Sequence, residues 1–180
     1  MILMLSACGR DLRQPLTAPP PATRVLVLGI SSDPIQVSAF ENIFANALRV
    51  ESKAVCLIST GLPDLREGIS MAALQEAVDH AKAQAVIVNR VVPSGHDEDQ
   101  AENLADYLEL AQRERSSWRD LQNGIVESRL FLMPNGVEVW RGQSRQVNPK
   151  GRLRELAQAS EHLAERLARS DTIPEPGEGG

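Results

Sequence analysis

Four groups of residues in this chain are of types that do chemistry. Gly29-Ile30-Ser31-Ser32-Asp33 follows an apolar run and precedes a helical pattern, the place where amides can hold a phosphate. It lacks the spaced glycines of a dinucleotide loop and the Gly-Lys-Ser/Thr of a P-loop. A helix cap is expected there, with a cleft at Ser31–Asp33 serving a small-molecule or hydrolytic enzyme as the alternative. His96-Asp97-Glu98-Asp99 gathers metal-ligating types, but neighbours on one loop rarely converge on one ion, and acids suit a helix start. His80 and His162 fall on expected helices, facing solvent or an interface. There is no G-x-S-x-G turn, and no paired-carboxylate or Cys/His arrangement stands out. Neither an enzyme nor a metal or other cofactor is expected.

The third group lies in a β-hairpin, GIVESRLFLM and VEVWRGQSRQV about the turn Pro134-Asn135-Gly136. If Met133 pairs with Val137, Leu130 faces Trp140 and Arg129 faces Arg141. Alternation then places Val126, Leu130, Leu132 and Trp140 on the core face, and Arg129, Arg141 and Arg145 with Phe131 and Val139 on the other. Like charges directly opposite are unfavourable unless Glu127 or an external anion compensates. A solvated edge is one reading of this face. The functional reading makes Arg129, Phe131, Arg141 and Arg145 a surface for an acidic protein, an anionic polymer or lipid headgroups. Burial under a helix would be costly for three cations.

The fourth group is the cysteines, Cys8 and Cys56. Leu5-Ser6-Ala7-Cys8 resembles a lipobox, at which bacterial lipoproteins are cut before a cysteine that becomes lipidated. The thiol takes the diacylglycerol, and small residues before it let the peptidase approach the backbone. Met1 to Leu5 is shorter than the apolar stretch of an export signal, so either translation starts upstream or the likeness is chance. Residues 9–23 contain Pro15, Pro19, Pro20 and Pro21 and little apolar content, the composition of an extended tether. Gly9 stands where an Asp would resemble an inner-membrane retention signal, so the likeness implies the outer membrane, facing the periplasm. With Cys8 acylated, Cys56 in AVCLIS has no partner and is expected to be a buried, inert thiol.

The elements that must position these groups follow from periodicity. RVLVLGI (24–30), AVCLIS (54–59) and QAVIVNRVV (84–92) are apolar runs of the kind found in strands buried on both faces. After Pro34, a helix carries Phe40, Ile43, Phe44, Ala47 and Leu48 as one stripe. A second, capped by Ser70, aligns Leu74, Ala77, Val78 and Ala81. A third over 100–115 aligns Ala101, Leu104, Ala105, Leu108 and Ala111. A last one after Pro149 aligns Leu153, Leu156, Ala157, Leu163, Ala164 and Leu167. The expected fold is α/β: a mixed sheet of β-α-β-α-β, then the hairpin and a closing helix, with helices packed on it. One domain spans 24–169, between the tether and a tail from 170 to 180 that is disordered by composition.

Charge narrows the partner classes. The 180 residues carry a net −5 and only 3% aromatics, which argues against nucleic acid as the partner. The basic excess is confined to 113–169, with eleven Lys and Arg against seven Asp and Glu. No apolar run approaches the length needed to span a bilayer.

RVLVLGISSDP with the AFENIFANAL helix, QAVIVNRVV and the VEVWRGQS strand, in this order, carry a resemblance. The chain resembles small bacterial lipoproteins of unassigned function whose domain is similar to the amino-terminal domain of the translocation protein TolB. Related domains occur in lipoproteins of curli secretion and exopolysaccharide export. The likeness covers roughly 24–169, and the charge-rich 96–120 segment departs from it as an insertion. It implies a membrane-anchored, non-catalytic envelope protein that binds a protein or polymer partner. A homo-oligomeric, ring-forming export accessory is the alternative it implies.

Overall fold

In the computed structural model, residues 22–62, 65, 69–95, 101–115, 123–148 and 153–173 are described. Five strands form one sheet in the order β2-β1-β3-β4-β5: β1 (Arg24–Ile30), β2 (Val55–Ile58), β3 (Ala85–Pro93), β4 (Gly124–Leu132) and β5 (Val137–Val147). β2, β1 and β3 run parallel. β4 is antiparallel to β3, and β5 to β4. The four helices are α1 (Pro34–Glu51), α2 (Met71–Ala81), α3 (Leu104–Arg113) and α4 (Leu153–Ala168). This is the mixed α/β sheet with packed helices that the periodicities imply.

Local chemistry sets the helix starts. Asp33 caps α1, its Oδ1 accepting from Ile35 N (3.0 Å) and Gln36 N (3.3 Å), with Pro34 in the first turn. Ser70 caps α2 through Ala73 N (3.1 Å). Asn103 caps α3 through Ala105 N (2.9 Å) and Asp106 N (3.1 Å). Asp33 therefore occupies the amides that a phosphate at this helix end would need.

β1 and most of β3 are apolar on both sides because both sheet faces are covered. On one face α1 and α4 bury Phe40, Phe44, Leu48, Leu156, Leu163 and Leu167 against Val25, Val27, Ile87, Val126 and Leu130. On the other, α2 and α3 bury Leu74, Val78, Leu104, Tyr107 and Leu108 against Leu26, Leu28, Val86, Val88 and Phe131. Each such aliphatic or aromatic side chain contributes roughly 1.5–3 kcal/mol on burial. The buried side of α3 runs 104, 107, 108, 111, so Tyr107 takes the place expected of Ala105, which is exposed.

Ala22 and Ile173, outside the boundaries 24 and 169 suggested by composition, are buried in the α1/α4 cluster. Ala22 N donates to Thr172 O across 3.0 Å, which joins the two ends of the body. Among the described residues no helix is long and apolar enough to cross a membrane.

The hairpin departs from the expected register near its turn. Leu130 faces Trp140 and Arg129 faces Arg141 as the alternation predicts, but Leu132, not Met133, pairs with Val137. A bulge between Leu130 and Phe131 takes up the difference, and Val139 packs with Trp140 against the α1/α4 cluster. Gly136 sits at φ 63°, and its carbonyl accepts from Leu104 N (2.9 Å), so the turn docks on the start of α3.

The Trp140-x-Gly142 spacing has a packing cause. A Cβ on Gly142 would run into Cη2 and Cζ2 of Trp140 and meet Leu163 Cδ2 of α4 at 3.0 Å. The indole lies across the bare backbone of Gly142, with α4 closing over it.

Candidate functional site

Of the hairpin residues singled out by sequence, Arg129 and Phe131 come together beneath α3, Arg141 reaches them through Glu138, and Arg145 lies apart. Arg129 and Phe131 are each 0% exposed, and Glu127 is 1% exposed. The surface expected to be formed by Arg129, Phe131, Arg141 and Arg145 is therefore corrected: Arg129 and Phe131 lie inside the domain. Arg141 is partly exposed at the edge strand, and Arg145 is exposed.

What makes this burial tolerable is matched charge. Glu127 accepts from Arg129 Nε through Oε1 (3.2 Å) and from Arg129 Nη2 through Oε2 (3.2 Å). Arg90 of β3 donates to Glu127 through Nε (3.1 Å) and to Glu114 through Nη1 (3.0 Å). Glu138 joins Arg129 (3.4 Å) to Arg141 (2.8 Å). Three guanidinium groups thus meet three carboxylates, and the directly opposed Arg129 and Arg141 share Glu138 between them. The Arg129–Glu127 and Arg141–Glu138 pairs are forked contacts, which hold geometry as well as charge.

Tyr107 closes the cluster from α3. Its hydroxyl donates to Glu127 Oε1 at 2.7 Å. Its ring stacks beneath two cations, with the Arg129 and Arg90 carbons 4.3 and 5.0 Å from its centre. Phe131 packs on the same ring, centres 5.5 Å apart. Burial alone would raise the Glu127 carboxyl; the Tyr107 hydroxyl, Arg129 and Arg90 outweigh it and lower it to about 2. Burial, then the Glu127 charge, pushes the Tyr107 phenol above its ordinary value. With every member matched, the cluster is a fastening between β3, β4, β5 and α3.

A second buried acid, Glu41, escaped the sequence reading because it lies one residue from the Phe40 of the apolar stripe. It is 0% exposed on α1. Its Oε1 accepts from Gly29 N (2.8 Å) and from the Ser59 hydroxyl; its Oε2 accepts from Thr60 N and Thr60 Oγ1, both at 3.0 Å. Burial raises this carboxyl, and the bonds from Ser59, Thr60 and Gly29 hold the rise back. The only hint in sequence is Ser59-Thr60 directly after a strand.

Above Glu41 lies a cavity of about 430 Å³, outside the carboxyl ends of β1 and β2, where open parallel sheets bind ligands. Ser31 lines it, while Asp33 is engaged as the α1 cap. Ser59, Thr60, Ile30, Val37 and Leu65 form other parts of its wall, and Arg115 stands at its edge. Arg115 Nε donates to Ser31 O at 2.7 Å.

The remaining candidates do not converge on these sites. His80 and His162 are exposed on α2 and α4. His96-Asp97-Glu98-Asp99 and Cys8 lie outside the described residues. Among the described residues, no group of three His, Cys, Asp or Glu could hold a metal ion. Cys56 is buried, and burial pushes its thiol up to about 11.

No protein-family model matches the chain, and no curated protein matches it significantly. Among solved structures, it is similar to PelC from Paraburkholderia phytofirmans, recorded as a dodecamer, in two crystal forms. A point variant of PelC superposes with TM-score 0.47 at 15% identity, over 87% of this chain and 95% of that one. The other PelC structure gives 0.44 at 16%, over 88% and 96%. Lipoprotein GNA1162 from Neisseria meningitidis gives 0.41 at 13%, over 82% of this chain and 98% of that one.

Proposed function

We propose that this chain is a lipid-anchored protein of the bacterial envelope, held by Cys8 at the outer membrane, with a non-catalytic α/β domain that binds a partner in the periplasm. The observation that carries the reading is the contrast between the two cysteines. Cys56 is buried and its thiol is pushed up to about 11, which makes it a poor nucleophile. Cys8, preceded by Leu5-Ser6-Ala7 and followed by the proline-rich 9–23 stretch, is the thiol in a setting suited to modification.

The partner surface narrows to the outer edge of the hairpin. With Arg129 and Phe131 enclosed, Arg145 and the partly exposed Arg141 are what β5 offers to an acidic protein or anionic polymer. Anchoring raises the effective concentration of the domain toward such partners at the membrane. More than one acyl chain is needed for firm attachment.

The test is expression in a Gram-negative host from the gene with its upstream codons, followed by intact mass and membrane fractionation. A chain that begins at an acylated Cys8 and sediments with outer membranes is expected, and Cys8→Ala should release it. An unprocessed cytosolic chain that retains Met1 would sink the reading.

A further inference from the structure

We propose that the cavity above Glu41 is a binding site for a small aliphatic carboxylate that carries a hydrogen-bond donor beside its carboxyl group, the chemistry shared by amino acids and hydroxy acids. This cavity is separate from the lipid anchor, and its occupancy does not depend on anchoring. Its basis is the pattern of donors, acceptors and apolar surface around about 430 Å³ of space.

The inner polar wall is Ser59 and Thr60. Each hydroxyl has one proton, and both protons are directed to Glu41. Toward the cavity these oxygens therefore present lone pairs, with a carboxylate behind them. A ligand group against this wall must donate: an ammonium or a hydroxyl suits it, and an anion does not. The helix end cannot reverse this preference, because Asp33 already holds the Ile35 and Gln36 amides.

Arg115, at the cavity's edge, has the opposite requirement. Its Nε is fastened to the Ser31 carbonyl at 2.7 Å, which orients the guanidinium, and among the described residues it has no carboxylate partner. Its remaining N–H groups suit a carboxylate in a forked contact. A third stretch of wall, formed by Ile30, Val37 and Leu65, is aliphatic and buried. A carboxylate at Arg115, a donor at Ser59 and Thr60, and an aliphatic body along Ile30 and Leu65 satisfy all three. Phosphate, a metal ion or a plain hydrocarbon each leaves at least one of them unmatched.

The test is an amide NMR titration of the full chain with leucine and, separately, with its hydroxy-acid analogue at millimolar concentrations. Isocaproate, which lacks the donor, and isoamylamine, which lacks the carboxylate, serve as controls. Saturable shifts at Gly29, Ser59 and Thr60 are expected from leucine or the hydroxy acid, with both controls roughly tenfold or more weaker. Which of the two binds names the source. Arg115→Gln, at an exposed position whose change leaves the rest of the amide spectrum in place, should weaken binding roughly tenfold. No saturable shift with either ligand, or binding that Arg115→Gln leaves unchanged, would overturn the proposal.

Discussion

The Tyr107 hydroxyl of α3 donates to Glu127 Oε1 of β4 at 2.7 Å, and the Arg129 guanidinium lies 4.3 Å from the centre of the same ring. A helix that sequence reading sets aside as an insertion is thus joined to the hairpin by one residue that both donates to the acid and stacks on the base. The two roles can be separated by mutation. Tyr107→Phe keeps the ring and removes one donor, so a loss of about 1–2 kcal/mol is expected in urea unfolding. Arg129→Met should cost more, about 3–5 kcal/mol, because Glu127 is left buried with less compensation. Equal losses would mean that the charge matching contributes nothing beyond the hydrogen bond.

Acid should act on the same cluster. Glu127 is lowered from 4.5 to about 2 in the folded state. Its contribution to stability is present above 4.5 and is lost as the pH falls toward 2, on the order of a few kcal/mol. A chemical-denaturation series across that window should show this slope in the natural chain and a reduced slope in Glu127→Gln.

Glu41 has the opposite sign. Its folded value is raised, so its contribution is fully present below 4.5 and declines as pH rises through the folded value. Glu41→Gln should remove this decline while leaving the acid-side loss from Glu127 in place. A variant in which both slopes vanish would show that the two acids do not titrate independently.

Gly142→Ala tests the packing of Trp140. The new methyl would collide with the indole and with Leu163 of α4, so a loss of roughly 1–3 kcal/mol is expected from overpacking. Near-ultraviolet circular dichroism and thermal unfolding would report it. A neutral outcome would mean that the indole swings clear at no cost.

Thiol labelling separates the cysteines without any lipid chemistry. In unacylated chain at mildly alkaline pH, Cys56 should react with a thiol reagent only after denaturation, because it is buried and pushed up to about 11. Prompt reaction of both thiols in the native protein would contradict the enclosure of Cys56.

Much of this architecture is legible in the chain because it rests on short-range rules. Apolar runs near 24–30 and 84–92 become strands because two covered sheet faces demand apolar residues on both sides. Ser70 and Asp33 start helices through bonds to amides only two or three residues away. Alternation also assigns Leu130 and Trp140 to one face and Arg129 and Arg141 to the other, since side-chain direction in a strand is a local property.

What alternation cannot express is the covering of a face. Arg129 looks like a surface residue from its own strand, and only the Tyr107 ring over it, with Glu127 and Glu138 on its guanidinium, makes its burial affordable. Glu41 looks like one polar residue on a helix until two strand ends bring Gly29, Ser59 and Thr60 to its oxygens. Charge burial is decided by partners distant in sequence, because desolvation is offset only where several elements meet. The sequence by itself therefore determined the strands, the helices and, outside the bulge after Leu130 and the Tyr107 side of α3, the sharing of faces. The tertiary structure alone decided which charged residues are enclosed, and left the cavity edged by Arg115 above Glu41.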